Sequence, residues 1–170
     1  MKALLAAVVF LSALFFTHNA IATELPTFKE ISDAAMAPKN SSKSDLYWMA
    51  MNIYYEAGSE PFIGKIAVGA VTLNRLNDKR FPKNIRDVVT EPQQFSWYNS
   101  KTANTPPANS QRWKESYEAA KLLLTSKLSS DIIKLLEGAT HFHAINIKPD
   151  WVKNVRKVAT IEGHVFYRLP

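Results

Sequence analysis

A glutamate placed between aromatic rings and a Gly/Ser bend is the residue of this chain best suited to chemistry. Glu56 lies in Tyr54-Tyr55-Glu56-Ala57-Gly58-Ser59-Glu60-Pro61, directly after an aromatic-rich amphipathic run. A carboxyl group desolvated on one side by apolar rings has its charged form disfavoured, so its pKa rises toward the range where it can donate a proton. Breaking a glycosidic bond requires such a donor, because the leaving oxygen must be protonated as the C–O bond opens. The competing reading of the same residues is a solvated, inert glutamate at a helix end. Glu60 would share a face with Glu56 if one helix ran through both. Gly58-Ser59 argues against that continuity, which leaves Glu60 either at the N-terminus of the next helix, where the helix dipole favours a carboxylate, or among substrate contacts. Neither Asp45, Asp87 nor Glu91 has a better claim to be a second catalytic acid.

Other side chains could line a groove beside that acid. Gln94-Phe95-Ser96-Trp97 offers an amide and a hydroxyl between two rings, and saccharides present both hydroxyl groups and apolar faces. Phe95 reads as a core anchor, Gln94 and Ser96 as groove residues, and Trp97 as either. His141 and His143, two apart on an expected strand, and the later His164 raise the question of a metal site. Two ligands on a strand is a common accident and the third has no characteristic spacing, so no metal and no cofactor are expected. His141 is expected on the floor of a groove, His164 as a buried structural histidine. Asn74 and Arg75, near the end of a buried helix, read as ties between loops. No Ser-centred nucleophile elbow, Gly-rich phosphate loop or Cys/His pair is present, which disfavours acyl transfer and nucleotide chemistry.

The elements that must position these groups are mostly helical. Ser44 or Asp45 can cap a helix from Leu46 to about Tyr55, in which Leu46, Met49 and Ile53 recur at helical spacing. A second runs from about Pro61 to Leu76, with Ile63, Ile66, Ala67, Ala70, Val71 and Leu73 as its buried stripe. Ala67, Gly69 and Ala70 would let another helix approach closely. Ile85 to Val89 reads as a short helical turn, Asn99 to Ser110 as an exposed polar loop around Pro106-Pro107, Gln111 to Leu124 as a third long helix, and Ser130 to Leu136 as part of another. After Gly138 the texture changes. Thr140 to His143, Val158 to Ile161 and His164 to Tyr167 read as short strands of a small antiparallel sheet. The fold class is therefore α+β and predominantly helical.

The chain has 170 residues, a formal net charge of +6 and a pI of about 9.5. Residues 1–22 read as a secretory signal peptide: Lys2 precedes an apolar run from Ala3 to Phe16, and Ala20-Ile21-Ala22 supplies small residues for cleavage. That run is short for a membrane span, so no stable membrane anchor is expected once it is removed. Residues 23–44 read as an N-terminal arm or linker and 45–170 as a single domain. The absence of cysteine excludes disulfide and thiolate chemistry and is compatible with export. The positive charge suits polyanionic surroundings. No Lys/Arg block is interleaved with aromatics, so no nucleic acid is expected and an anionic cell envelope is preferred.

Further motifs carry a resemblance. Tyr54-x-Glu56-Ala57-x-x-Glu60-Pro61 is followed by Gly64-x-x-Ala67-Val68-x-Ala70-Val71-x-x-Asn74-Arg75. Then come Phe81-Pro82-x-x-Ile85-x-x-Val88, Pro92-x-Gln94-Phe95-Ser96-Trp97, Gly138-Ala139-Thr140-His141-Phe142 and Ile161-x-Gly163-His164-x-Phe166-Tyr167. In this order they resemble the SleB-type (spore-cortex-lytic) cell-wall hydrolases, over roughly Asp45 to Arg168. The resemblance implies a lysozyme-like fold of the lytic-transglycosylase type acting on peptidoglycan glycan strands, with Glu56 matching the catalytic glutamate. Members usually carry a small residue at Tyr55, glycine at Ser59, tyrosine at His143 and glycine at Glu162.

One acid has a mechanistic consequence. A two-carboxylate hydrolase needs a second group as nucleophile or water-activating base. A lytic transglycosylase needs only Glu56, as acid and then as base toward the C6 hydroxyl of N-acetylmuramic acid, a nucleophile already tethered to the reacting ring. The reading is an exported, monomeric enzyme of the periplasm or cell wall that cleaves the MurNAc-GlcNAc bond. Glu60, Gln94, Ser96, Trp97, His141 and Tyr167 are its candidate substrate contacts. The alternatives are a muramidase that delivers water and a non-catalytic wall-binding protein on the same fold.

Overall fold

The computed structural model describes residues 42–98, 110–125 and 134–170. The expected leader, the arm up to Ser41, the loop at 99–109 and the start of the helix expected from Ser130 lie outside the described residues.

Helix α1 spans Ser42–Ala57 and is the central helix. Tyr47, Trp48, Met49, Ala50, Met51 and Ile53 are all buried, so its apolar residues face inward on every side rather than along one stripe. A helix hydrophobic all round belongs in the middle of a bundle. It begins earlier than expected: Ser42 to Ser44, read as the end of the arm, are helical, Ser44 is buried, and Asp45 sits in the first turn. A carboxylate there is favoured by the helix dipole without acting as the cap.

Helix α2 spans Phe62–Asn77 with Pro61 at its N-cap, α3 spans Ile85–Val89, and α4 spans Gln111–Thr125. The expected stripe of α2 is present, with Ile66, Ala67, Ala70 and Val71 buried and Ile63 and Leu73 half-buried. Gly69 is where α1, α2 and α4 converge. A Cβ there would lie 2.4 Å from Leu123 Cδ1 and 2.8 Å from Ile53 Cδ1, so the helices approach more closely than any side chain would allow. Asn84 caps α3 by accepting from the Asp87 backbone N–H at 2.9 Å.

Strands β1 (His141–Ala144), β2 (Arg156–Ile161) and β3 (His164–Arg168) form one antiparallel sheet in the order β1-β3-β2. A 3₁₀ helix at Asp150–Asn154 lies in the β1–β2 connection. The register sets His141 opposite Tyr167, Phe142 opposite Phe166 and Ala144 opposite His164. Side chains alternate across a sheet, so Phe142 and Phe166 share one face, and Phe166 joins the helical core.

Helix α2 ties the sheet at both its ends. Glu60, just before it, accepts the Gly163 N–H of the β2–β3 turn at 2.9 Å. Near its other end Asn74 Nδ2 donates to the Ala139 carbonyl and Arg75 Nε to the Thr140 carbonyl, each at 2.9 Å. Hydrogen bonds to charged groups, here those of Glu60 and Arg75, contribute about 1.5–3 kcal/mol each, enough to fix where β1 begins relative to α2. Among the described residues, no helix is long and apolar enough to cross a membrane.

Candidate active site

Glu56 stands on the last turn of α1, where the central helix leaves the core. It opens into a cleft of about 300 Å³ whose lining includes Glu56, Arg75, Gln93, Gln94, Phe95, His141, Phe142 and Trp151. Three parts of the chain build it: the ends of α1 and α2, the turn after Glu91, and the sheet with the 3₁₀ helix. Among the described residues that line it, Glu56 is the one carboxylate.

Burial pushes the Glu56 carboxyl up to about 7, and the Arg75 guanidinium works against that rise. Desolvation dominates, so the group is held near the point where it can both give and take a proton at neutral pH. Arg75 itself is only 3% exposed. Its guanidinium lies 5.1 Å from the centre of the Phe81 ring and 5.0 Å from that of Phe95, held between the two by cation–π attraction. Burial draws its pKa down to about 10, opposed by Glu91 and Glu56, so it remains a cation at neutral pH. Its Nε is committed to Thr140, while Nη1 is buried without a hydrogen-bond partner among the described residues.

His141 is the neutral member of the cleft. Burial draws its pKa down to about 4, with Arg75 and then Arg80 adding to the effect and Asp78 opposing it. Its Nδ1 lies 3.0 Å from Thr140 Oγ1. Behind it the sheet carries an aromatic group. His143 Nε2 is 2.9 Å from the Tyr167 hydroxyl, the two rings stack at 5.2 Å, and Trp151 packs against His141, His143 and Tyr167.

Sequence and structure agree on part of this lining. Gln94 and His141 come together with Glu56 in the cleft. Ser96 is exposed and outside the lining. Trp97 is buried, donates from Nε1 to Asn52 Oδ1 at 3.2 Å, and stacks on Tyr55 at 4.8 Å. It is a core anchor that supports the helix carrying Glu56. Tyr167 is 8% exposed and turned to His143, one layer behind the cleft. Glu60 is held by Gly163 N–H. Arg75, read as a tie between loops, performs that role and also faces Glu56. Gln93, Phe142 and Trp151 are lining residues that sequence reasoning missed. Gln93 carries one signal, since it follows Pro92 in a turn and takes a φ of 66°.

The three histidines do not converge. His141 and His143 share one face of β1, whereas His164 pairs with Ala144 and lies on the other face, against Phe142. Among the described residues no group of three or more His, Cys, Asp or Glu is placed to hold a metal ion. A larger cavity, of about 730 Å³, lies at the sheet end, lined by residues including Arg80, Glu137, Arg156 and Arg168. Its charges pair with one another or with the backbone: Arg156 with Glu137 at 2.5 Å, Arg80 with Asp78 at 2.6 Å. It presents no desolvated acid, and size alone does not make it the reactive site.

A buried central helix that delivers one desolvated carboxyl to a cleft bordered by a small antiparallel sheet defines a lysozyme-like domain. Solved structures bear out the fold. The chain aligns with the catalytic domain of Bacillus cereus SleB at a TM-score of 0.58 and 24% identity, over 78% of this chain and 95% of that one. It aligns with the catalytic domain of the germination-specific lytic transglycosylase SleB of Bacillus anthracis at a TM-score of 0.59 and 24% identity, over 78% and 100%. The chain belongs to the Cell Wall Hydrolase family, whose sequence profile matches residues 59–167. Glu56 lies just before that span. The spore cortex-lytic enzyme of Halalkalibacterium halodurans is 31% identical over 137 residues, covering 80% of this chain and 38% of that protein. That of Bacillus subtilis strain 168 is 40% identical over 68 residues, covering 40% and 22%. The chain thus spans well under half the length of these relatives.

Proposed function

We propose that this protein is a peptidoglycan lytic transglycosylase that cleaves the MurNAc-GlcNAc bond and leaves 1,6-anhydro-MurNAc ends. The observation that carries the reading is the desolvated Glu56 carboxyl, the one carboxylate among the described residues that line its cleft. Protonated near neutral pH, Glu56 donates to the glycosidic oxygen as the C–O bond breaks. The carboxylate then faces the Arg75 cation, which favours the charged form. As a base it removes the proton from the C6 hydroxyl of the same muramic ring, whose oxygen bonds to C1. The proton that leaves Glu56 is thereby replaced, and no water is consumed. A nucleophile tethered to the reacting ring has a high effective concentration, so a second carboxylate to activate water is not needed. In this reading neutral His141 and the amide of Gln94 hydrogen-bond substrate hydroxyl and N-acetyl groups without competing for the proton. Ser96, Trp97, Tyr167 and Glu60 contribute by supporting these walls or by contacts further along the strand.

Family membership and relatives named for cortex lysis support peptidoglycan as the substrate. The leader read at residues 1–22 and the basic charge support export to the periplasm or cell wall, with which the absence of cysteine is compatible, and there the domain acts as a monomer on glycan strands. The test is digestion of purified peptidoglycan with mass analysis of the products. Anhydro-muropeptides are expected. Reducing MurNAc ends would assign a muramidase instead, and binding without release would assign a wall-binding protein. Glu56→Gln should abolish release while binding and folding persist, and undiminished turnover in that variant overturns the mechanism.

A further inference from the structure

Four large apolar side chains stand exposed among the described residues: Leu135, Ile145, Ile147 and Trp151. Trp151 alone of these borders the cleft that holds Glu56. It is 39% exposed and sits on the 3₁₀ helix Asp150–Asn154, none of whose residues is buried. It is therefore not there to anchor that helix to the core. An indole exposed to this degree forfeits part of the burial that makes tryptophan stabilising elsewhere in a fold.

The ring is nevertheless held in place. His141, His143 and Tyr167 surround it at centroid distances of 5.7, 5.8 and 5.3 Å and interplanar angles of 60°, 74° and 81°. None of the three lies parallel against it, so among the described residues no neighbour covers it by stacking. Tyr167 and His143 are in turn fixed by their own hydrogen bond. An aromatic ring that is immobilised by edge contacts, exposed, and placed on the wall of a cleft loses little further freedom when a ligand stacks on it. Gln93 and Gln94 line the same cleft, and their amides can supply the hydrogen bonds that a flat apolar surface lacks.

We infer that Trp151 is a stacking platform for the apolar face of a pyranose ring, and that it seats an N-acetylated sugar beside Glu56 in the cleft that Gln93 and Gln94 also line. The inference rests on the proposed action on glycan strands and names a binding residue for them. The occupant is an N-acetylhexosamine ring, which combines a flat C–H face for the indole with an amide for the glutamines. Trp151 is a binding group and takes no part in proton transfer, so its loss weakens capture and spares the chemical step.

The experiment uses the full chain and soluble, peptide-free glycan strands. Trp151→Ala should raise the apparent KM about tenfold or more, with kcat within about threefold of the parent, a loss in the range that stacking on aromatics supplies. Trp151→Phe should restore most of the KM. Both variants should still unfold cooperatively, with Trp151→Ala losing only the modest stability that its edge contacts with three rings supply. Glu56→Gln gives the opposite split, with lost turnover and retained binding. An unchanged KM in Trp151→Ala, in an enzyme whose wild type releases products, overturns the platform while leaving the proposed reaction standing. Loss of kcat alone, or equal loss in the Ala and Phe variants, overturns it as well. If the wild type releases nothing from peptidoglycan or glycan strands, the reaction fails, and direct titration of Glu56→Gln and Glu56→Gln/Trp151→Ala with N-acetylglucosamine oligomers then decides the platform, equal affinities overturning it.

Discussion

Replacing Glu56 by glutamine should stabilise the protein, and only in one pH range. The folded state holds the Glu56 proton up to about pH 7, against an ordinary value of 4.5. A group that binds its proton more tightly in the folded state contributes stability that is complete below the unfolded value. That contribution is lost as pH rises through the folded one. The gap, at about 1.4 kcal/mol for each tenfold in proton affinity, corresponds to about 3 kcal/mol near pH 8. Glu56 is only half-buried, so solvent screening reduces the figure to about 2–3 kcal/mol. Glutamine keeps the shape and cannot ionise. Below about pH 4.5 the two proteins should be equally stable, and near pH 8 the glutamine variant should lead by that margin, or by about 8–12 °C in Tm for a domain of this size. Urea unfolding of both across a pH series, at fixed ionic strength, measures it. Every other titrating group is common to the pair, so the difference between the curves isolates this carboxyl. Parallel curves across the range would show a solvated glutamate, and the argument for a neutral acid in the cleft would fall with them.

Other consequences follow from single contacts. Arg75→Gln removes the cation that opposes the rise at Glu56, so the alkaline limb of the activity profile should move upward by about one pH unit while kcat falls. An unmoved limb would mean the two groups do not interact. Gly58→Ala should cost about 2–3 kcal/mol and reduce activity, because the new Cβ would lie 2.2 Å from the Tyr54 carbonyl oxygen, a backbone atom one turn before the end of α1. Denaturant midpoints and turnover should fall together. Glu162→Gly should raise stability by about 1 kcal/mol, since Glu162 occupies the β2–β3 turn with a φ of 48°, a conformation that costs a residue with a Cβ about that much. A decrease would show that its side chain matters more than its backbone.

The helices were legible because their apolar residues recur at helical spacing and Gly or Pro interrupts them. Their ends were less so. Ser44 reads as a cap from its hydroxyl and its place before Leu46, yet the helix continues through it to Ser42. The buried environment around Ser44 comes from the tertiary fold and is absent from the local sequence. The small residues of α2 were a better guide. Gly69 announced a close helix approach, and the clash a Cβ would make there shows how close. Glu162 is informative for the opposite reason. The turn demands a backbone that suits glycine, the resembled family usually carries glycine at that position, and this chain keeps the conformation without it.

The candidate site was legible in its acid and only partly in its walls, and parity explains the difference. Gln94, Phe95, Ser96 and Trp97 alternate exposed and buried, so the two rings turn to the core together and the amide and hydroxyl turn outward. Trp97 therefore could not share a wall with Gln94, and it supports Glu56 indirectly by stacking on Tyr55. The same parity separates His164 from His141 and His143 once the β1–β3 register is known, but register depends on pairing partners far apart in the chain. Trp151 lies beyond the reach of any periodicity, on a connection whose path is set by the strands it joins. The balance at Glu56 is of that kind too. Ring-rich sequence predicts desolvation, whereas the opposing cation comes from Arg75 on another helix, held by Thr140 and two phenylalanine rings. Desolvation alone would favour an acid that seldom gives up its proton. The cation, itself held by Glu91 as well as Glu56, limits that rise, and the proposed exchange of a proton in both directions depends on the balance between the two.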